Sequence, residues 1–292
     1  MKHNISLFTA ACSLFLLLGT ACSESAVQSP EAEPADVMTF QVNHPWTPAP
    51  TRVTETAFES GDQVGLYITD TQTLLEPGGN YVNNAPLRYD NAQWTTPKPI
   101  YWNQGTYNVY AYYPYATPIV STSDYPFTIA TDQSGAGYAQ SDFLWARKDG
   151  VTAQNGAVNL QFSHRMSRIL IKLIPGKDFE GELPTDAEVY LHSTVPAATI
   201  DLSAGIVTRN NYTPAQIIRA KSLGNHKYTA ILVPQRLDNK QPLVEVIMKG
   251  VSYLYESRFV FKPGIQHMVQ LIISKNPEQI KIEIGGEIEN WS

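Results

Sequence analysis

The sequence predicts an all-β fold, and three observations lead to this prediction. Hydrophobic and polar residues alternate with a period of two in stretches such as residues 265–273 (IQHMVQLII) and 280–284 (IKIEI). The stretch ATIDLSAGIVT (198–208) reads as strand, turn and strand. No window of about a dozen residues carries a convincing helical stripe, and residues 213–223 would form at most a short helix. Many short strands separated by turns are typical of a sandwich or a barrel.

The N-terminus predicts a lipoprotein signal over residues 1–21. Its apolar run is shorter than the roughly 20 residues that span a bilayer, which favours a secretory signal over a membrane helix. The run ends in GTAC (19–22), which resembles a bacterial lipobox. Because Cys12 lies inside the signal, Cys22 would be the only cysteine of the mature chain. We therefore predict lipidation of Cys22; the alternative is a spare exposed thiol.

Residues 22–36 are predicted to be a disordered tether between the lipid and the folded part. This stretch (CSESAVQSPEAEPAD) combines acidic residues with prolines and holds nothing that could form a core. Glu24, close behind Cys22, also resembles a surface-export signal of some Gram-negative groups. The folded part is expected to begin at residue 37.

The tyrosine-rich stretch GTYNVYAYYPY (105–115) is interpreted as a core strand that ends at Pro114. Its residues alternate between two faces: Tyr107, Val109, Ala111 and Tyr113 on one, and Thr106, Asn108, Tyr110 and Tyr112 on the other. One face is expected to lie in the core and the other to face solvent or a groove. A ligand platform and a protein–protein surface are the alternatives.

A phase slip in residues 157–176 predicts a domain boundary. Apolar residues occupy even positions up to Met166 and odd positions from Ile169 onward. A shift of one residue turns every side chain to the other face of a sheet. Either a bulge near Ser167–Arg168 or a strand that leaves one sandwich and enters another explains the slip. We therefore expect one β-sandwich over residues 37–167 and a second over residues 168–292.

The sequence indicates no catalytic, metal or cofactor site. Its net charge is −6 and it has no basic run, which argues against nucleic acid as a partner. Nucleophile-elbow, phosphate-loop, dinucleotide and metalloprotease motifs do not occur, and the six histidines are scattered. His164 lies on the inward phase of its strand and is expected to be a hydrogen-bonded core histidine. Asp62 is interpreted as a turn residue before a strand.

Four stretches in order resemble the fimbrillins, subunits of type V pili, and their fimbrillin-like relatives. These stretches are residues 51–68, 101–115, 141–173 and 261–292. The resemblance implies two tandem transthyretin-like Greek-key β-sandwich domains and a lipoprotein precursor exported to the outer membrane. It also implies cleavage by an arginine-specific protease near the N-terminus. The cut would remove a first strand and open a groove that a strand of another pilus subunit fills.

Arg52 is the candidate processing site. Residues 38–44 (MTFQVNH) read as a strand with Phe40, Val42 and His44 on one face. The proline-rich stretch PWTPAPTR follows, which cannot pair as sheet and is expected to be extended and exposed. Arg52 is the first basic residue after Lys2, so an arginine-specific protease would meet it first. The alternative is an ordinary surface arginine in a loop.

The expected function is that of a non-enzymatic fimbrial subunit or fimbrillin-like adhesin on the outer membrane. The chain is shorter than typical shaft subunits and stops at Ser292, which favours a tip, anchor or accessory position. The sequence does not indicate which host or bacterial ligand it would bind. The runner-up is a lipid-anchored glycan-binding protein with four exposed aromatic residues stacking on sugars: Trp94, Trp102, Tyr110 and Tyr112.

Overall fold

The regular secondary structure of the protein is almost entirely β-strand, as the sequence predicts. A computed structural model describes residues 36–45, 57–154, 156–276, 281–283 and 289–291. These residues belong to one compact unit, Asp36–Ser292. Within the described ranges, the one α-helix is a single turn, α1 (Gly137–Gln140).

The strands before residue 167 build one large sheet and one small one, except for one strand, β6 (Tyr125–Thr128), which joins a sheet of later strands. They are β1 (Phe40–Asn43), β2 (Gln63–Asp70), β3 (Val82–Asp90), β4 (Gln93–Thr95), β5 (Tyr107–Tyr113), β6 (Tyr125–Thr128), β7 (Leu144–Val151), β8 (Val158–Gln161) and β9 (Ser163–His164). Six of them form an antiparallel sheet in the order β4-β3-β2-β5-β7-β9, which we call the N-terminal sheet. β1 and β8 form a separate parallel pair.

The strands after residue 166 build three further sheets. They are β10 (Ser167–Pro175), β11 (Glu188–Thr194), β12 (Ala197–Asp201), β13 (Ile206–Arg209), β14 (Gln216–Arg219), β15 (Lys221–Gly224), β16 (Lys227–Leu232), β17 (Gln235–Met248), β18 (Val251–Phe261), β19 (Ile265–Ile273), β20 (Lys281–Glu283) and β21 (Glu289–Asn290). Their orders are β15-β16-β10-β19-β20 with β21 on β19, β14-β11-β17-β18, and β13-β12-β6. The predicted hairpin at residues 198–208 is the pair β12 and β13.

Buried hydrophobic side chains form two clusters, one on each face of the N-terminal sheet. The first, which we call the N-terminal cluster, consists of Met38, Phe40, Val42, Val64, Leu66, Ile68, Leu87, Trp102, Tyr107, Val109, Ala111, Leu144, Ala146, Val151, Val158, Leu160 and Phe162. The second, the large cluster, joins the opposite face of that sheet to the inward faces of the later strands and ends at Trp291. On β2, Leu66 belongs to the first cluster and Tyr67 to the second.

The tyrosine-rich strand β5 is buried on both faces. Tyr107, Val109 and Ala111 lie in the N-terminal cluster, whereas Tyr110 and Tyr112 lie in the large cluster. Its interpretation as a core strand is confirmed. The expectation that one face meets solvent or a groove is wrong, because the N-terminal sheet lies between two apolar layers.

The chain changes sheets where the sequence predicts a phase slip. β9 pairs with β7 in the N-terminal sheet, and β10 pairs with β16 and β19 in another sheet. The slip between Met166 and Ile169 therefore marks a strand passing from one sheet to the next, one of the two explanations considered. β6 nevertheless pairs with β12 across this point. The division into domains 37–167 and 168–292 stays a prediction.

Residues 213–223 form strands rather than the short helix that the sequence allows. β14 pairs with β11 through Leu191 and Ile218, and β15 pairs with β16. Ile218 is buried while its neighbour Ile217 is exposed, the alternation that a strand imposes. The partner strands supply backbone hydrogen bonds that a short helix here would have to find within itself.

Candidate functional site

The candidate site is built on strand β1, which covers the N-terminal cluster. Met38, Phe40 and Val42 are buried, and Gln41 between the last two is exposed. The sequence predicts Phe40, Val42 and His44 on one face; the first two are buried and His44 is half-buried. β1 is therefore an amphipathic strand whose apolar side faces the core.

Backbone hydrogen bonds hold one edge of β1 to β8. The amide of Val158 donates to the carbonyl oxygen of Thr39 at 2.8 Å, and the amide of Phe162 donates to that of Asn43 at 3.0 Å. The two strands run parallel, and parallel pairing is slightly less stable per residue than antiparallel pairing. An isolated two-stranded pair is marginal without a hydrophobic surface to pack on. β1 therefore depends on the cluster beneath it.

The segment before β1 is held by the chain around residue 101. The amide of Met38 donates to the carbonyl oxygen of Ile100 at 2.7 Å, and the amide of Trp102 donates to that of Asp36 at 2.8 Å. This bridge lies next to Val37 and Tyr101, which pair as an isolated antiparallel bridge. The N-terminal end of the described chain is thus fixed at two places, the 100–102 segment and β8.

Removal of β1 would uncover an apolar groove. Val158, Leu160 and Phe162 are each no more than 2% exposed and lie in the same cluster as Phe40 and Val42. Full burial of one such side chain stabilises a fold by roughly 1.5–3 kcal/mol. A buried backbone group without a partner costs about 1–3 kcal/mol. The groove left behind would favour another amphipathic strand as its cover.

The two modification sites predicted from the sequence lie outside the described residues. Cys22, the predicted lipidation site, precedes residue 36, and Arg52, the predicted processing site, falls between residues 45 and 57. Their roles stay predictions. What the structure describes is the strand that a cut at Arg52 would separate from the rest of the chain.

The four aromatic residues of the glycan-binding alternative do not form an exposed platform. Trp102, Tyr110 and Tyr112 are 8%, 5% and 1% exposed and pack in the two clusters. Trp94 is half-buried, with its ring 5.0 Å from that of Phe58 in an edge-to-face contact. The expectation that these residues are exposed is wrong, because the N-terminal sheet is covered on both faces.

His164 is the buried, hydrogen-bonded histidine that the sequence predicts. It is 4% exposed, and its Nδ1 lies 3.0 Å from Oδ1 of Asp142. Its ring stacks on that of Trp291, with centroids 3.8 Å apart and planes 8° from parallel. Sequence reasoning missed both partners, which reach His164 only through the tertiary fold.

Asp62 is the predicted turn residue. Its amide donates to the carbonyl oxygen of Glu59 at 3.0 Å, and its Oδ2 accepts the amide of Glu59 at 2.8 Å. Its Oδ1 also accepts a hydrogen bond from the hydroxyl of Tyr113 at 3.2 Å. Burial, together with this carboxylate, raises the pKa of Tyr113. One carboxylate therefore ties the turn before β2 to the end of β5.

The described ranges contain no group of three or more His, Cys, Asp or Glu side chains placed to hold a metal ion. Within the same ranges, none of the helices combines the length and the hydropathy that crossing a bilayer requires. The features that remain as candidates for function are the β1 groove and the surroundings of His164.

A family comparison matches residues 51–291 to the fimbrillin-like family. A curated relative, Fim1C of Bacteroides ovatus, is named as a candidate fimbrium tip subunit. It is 28% identical over 163 residues, which cover 49% of this chain and 30% of Fim1C. The match therefore spans less than a third of that relative.

Solved structures of similar fold come from Bacteroides species. A candidate cell adhesion protein of Bacteroides ovatus has a TM-score of 0.70 at 21% identity and covers 89% of this chain and 98% of its own. A second candidate cell adhesion protein, from Bacteroides uniformis, has a TM-score of 0.65 at 18% identity. The alignment covers 80% of this chain and 93% of the other. Because both sequence identities are below 25%, these similarities show a shared fold alone.

Proposed function

This chain belongs to the fimbrillin-like family, and on that premise we propose that it is a non-enzymatic subunit of a surface fimbria that assembles by exchanging strand β1. The observation that carries the proposal is the way β1 covers its cluster. Four residues, bonded along one edge to a parallel partner, cover side chains that are almost fully buried. A strand from a second subunit could take the same place, which is β-strand addition.

Arg52 is the site at which we expect the exchange to be triggered. It lies C-terminal to β1 in a stretch with three prolines between Pro45 and Pro50, a composition that favours extended, protease-accessible backbone. A cut after Arg52 would free residues 22–52 and with them β1. Until the cut, the chain's own strand would keep the groove closed and the subunit monomeric.

Cys22 is the proposed anchor to the outer membrane. Acylation there would place the folded part at the end of the tether 22–36. We expect Cys22→Ala to release the protein from the membrane fraction or to leave its signal uncleaved. Fatty-acid label on the Cys22→Ala protein would contradict this part of the proposal.

A tip, anchor or accessory position is proposed over a place in the shaft. Support comes from Fim1C, whose name assigns it to a fimbrium tip. The proposal concerns this chain only, since the matched region covers 30% of Fim1C. Co-purification of the chain with tip-proximal rather than shaft subunits from intact fimbriae would test it.

The experiment that tests strand exchange is limited digestion of the soluble chain, residues 23–292, with an arginine-specific protease. We expect one early cut, after Arg52, followed by higher oligomers on size-exclusion chromatography. Arg52→Lys should abolish both, because the protease does not accept lysine. Arg88→Lys is the matched control: Arg88 is exposed but lies in the paired strand β3, so this change should alter neither result.

Two outcomes would contradict the proposal. In one, Arg52 resists cleavage while the rest of the chain stays folded. In the other, the cut occurs but the protein remains monomeric even when candidate partner subunits are added. The second outcome would support processing at Arg52 but would contradict strand exchange.

A further inference from the structure

Strand β18 is a long strand at the edge of its sheet. It is the last strand in the order β14-β11-β17-β18, and it pairs with β17 along one of its two edges. Along the other edge, no strand pairs with it within the part of the chain that the structure describes. The free edge of a strand presents unpaired N–H and C=O groups, which are a template for the addition of a further strand.

Most of the features that protect such an edge are absent from β18. Proteins commonly keep edge strands short or interrupt them with proline or a bulge. β18 has eleven residues and contains no proline, glycine or lysine. Where its register with β17 shifts, the additional residues lie in β17, after Leu237 and after Pro242. β18 itself is therefore a regular strand, and its two charged residues, Glu256 and Arg258, determine which partner fits its edge.

These two charges are complementary to a second copy of the same strand. In an antiparallel pair of two copies related by a two-fold axis at Ser257, Glu256 of each copy lies opposite Arg258 of the other. Moving the axis to Glu256 or to Arg258 would place that residue opposite its own copy. Opposite charges on directly facing residues stabilise a pair of strands, and like charges destabilise it. Charge therefore favours the axis at Ser257.

Both charged side chains are available for this contact. Glu256 and Arg258 are exposed. Nζ of Lys240 lies 4.0 Å from Oε2 of Glu256, but the two side chains are 73% and 46% exposed, and ion pairs of this kind are weak. Arg258 has no ion-pair partner among the described residues. A facing copy would supply one.

The same register brings together apolar side chains that the single chain leaves incompletely covered. On the face toward the large cluster, Tyr255 and Phe259 pack against that cluster but are only half-buried. On the opposite face, Leu254 and Val260 are 44% and 42% exposed. With the axis at Ser257, Tyr255 lies opposite Phe259 of the other copy, and Leu254 lies opposite Val260. Directly facing Cβ atoms are about 4.5–5.5 Å apart, so each pair would be in contact.

We propose that β18 pairs with β18 of a second copy of this chain and that the pair forms a two-fold symmetric dimer. The two four-stranded sheets would then become one continuous sheet. A contact made by one strand of each copy is small, and small interfaces are typical of weak, transient association. We therefore expect monomers at low micromolar concentration and dimers at high micromolar concentration. The contact uses neither β1 nor Arg52, so it is independent of the proposed strand exchange.

The first test is analytical ultracentrifugation of the uncut chain, residues 23–292, from low to high micromolar concentration. The weight-average mass should rise from that of the monomer toward twice that value. Glu256→Arg and Arg258→Glu each place like charges opposite each other at both contacts of the dimer, and each should weaken association at least tenfold. Arg88→Glu is the matched control and should leave association unchanged, because this exposed arginine lies in β3, which is paired along both edges.

Two combinations of these variants test the register. The double variant Glu256→Arg/Arg258→Glu restores opposite charges at both contacts and should dimerise as the original chain does. An equimolar mixture of the two single variants also places an arginine opposite a glutamate at both contacts. The mixture should therefore form heterodimers at concentrations at which neither variant associates alone. Recovery of association would also show that the single variants are folded.

A cysteine at the two-fold axis gives a readout that does not depend on charge. Both cysteines of the sequence precede residue 23, so an introduced cysteine would be the only one in residues 23–292. Directly facing Cα atoms of an antiparallel pair are about 4.5–5.5 Å apart, which a disulfide can bridge. Ser257→Cys should therefore cross-link under mild oxidation, as seen by non-reducing electrophoresis. Ser252→Cys, exposed in the same strand but far from the axis, is the matched control and should not.

Four results would overturn the proposal. A chain that stays monomeric at every concentration would show that Glu256 and Arg258 protect the edge instead of joining two copies. A dimer that tolerates both single charge reversals would place the contact elsewhere on the molecule. Failure of both combinations to associate, or equal cross-linking of Ser257→Cys and Ser252→Cys, would contradict the register.

Discussion

The two hydrophobic clusters are closed in different ways. The N-terminal cluster is covered on its outer side by a two-stranded sheet, in which β1, a strand of four residues, pairs in parallel with β8. The large cluster is enclosed by sheets whose longest strands, β17 and β18, have fourteen and eleven residues and pair with each other. The N-terminal cluster thus depends partly on one short strand near the start of the folded part, whereas long paired strands enclose the large cluster.

This difference indicates which part of the molecule can be replaced. The N-terminal sheet is fixed from its other face by Tyr67, Tyr110 and Tyr112, which belong to the large cluster. Loss of β1 would therefore remove part of the packing on one face of the sheet, where β8 remains, without removing the packing on the other face. A burial pattern of this kind allows one strand to be exchanged while the rest stays folded.

The largest expected effect comes from a pair of leucine truncations, one in each cluster. Leu271→Ala in β19 and Leu160→Ala in β8 remove side chains that are 0% and 1% exposed. Each should lower the free energy of unfolding of the uncut chain by about 2–5 kcal/mol, the range for buried leucines. Urea denaturation measures both.

The two leucine truncations should differ in their cost when β1 is absent. In a chain that begins at residue 53, β8 loses its paired neighbour and Leu160 loses the part of its packing that β1 supplies, so Leu160→Ala should cost less than it does in the uncut chain. Leu271→Ala should keep its full cost. An equal cost of Leu160→Ala in the two chains would mean that β1 contributes nothing to the packing around Leu160.

Two histidines, one near each cluster, should contribute differently to the loss of stability at acid pH. Burial, with a smaller contribution from Lys262, lowers the pKa of His267 to about 4, and burial also lowers that of His44. Nε2 of His267 accepts the amide of Lys262 at 3.1 Å, a bond that protonation of that nitrogen would break.

The folded pKa of His267 lies below the unfolded value, so its contribution to stability is complete above about pH 6.5 and is lost as pH falls toward 4. His267→Asn should remove up to about 3 kcal/mol of that acid-side loss. His44→Asn should remove a smaller part of it. Urea denaturation between pH 7 and pH 4 measures both, and an unchanged pH profile in His267→Asn would contradict the assignment.

A smaller effect is expected at Gly65 in β2, where the two layers meet. A Cβ built there would lie 2.1 Å from Cε1 of Tyr112, whose ring fills the space above the glycine. Gly65→Ala should therefore cost about 1–3 kcal/mol through overpacking. Gly135→Ala is the matched control, because a Cβ there meets nothing within 4 Å. Thermal or urea unfolding of both variants tests the prediction, and equal stabilities would contradict it.

The sequence predicted the strands that are buried on one face. In β19 the predicted alternation is observed, with Val269, Leu271 and Ile273 buried. The apolar face of β1 and the change of sheet near residue 167 were also readable, because each leaves a period-two signal in the sequence. These features depend on local pattern.

Features that depend on how the sheets pack against each other could not be predicted from the local sequence pattern. β5 carries apolar or aromatic residues on both faces, and only the tertiary fold shows that both are covered. The helix considered for residues 213–223 gave way to strands because β11 and β16 supply their partners. The surroundings of His164 combine Asp142 and Trp291, which are far from each other in sequence and form no local motif.

The most direct test of the central claim is amide hydrogen exchange on two chains, one beginning at residue 36 and one at residue 53. The amides of Val158 and Phe162 donate to the carbonyl oxygens of Thr39, next to β1, and Asn43, at the end of β1, so they report on the pairing of this strand. We predict that the shorter chain stays folded, that these two amides lose their protection, and that amides in β10 and β19 keep theirs. A peptide of residues 36–45 should restore the lost protection. Unchanged protection at Val158 and Phe162, or global unfolding of the shorter chain, would contradict the claim that β1 is an exchangeable cover.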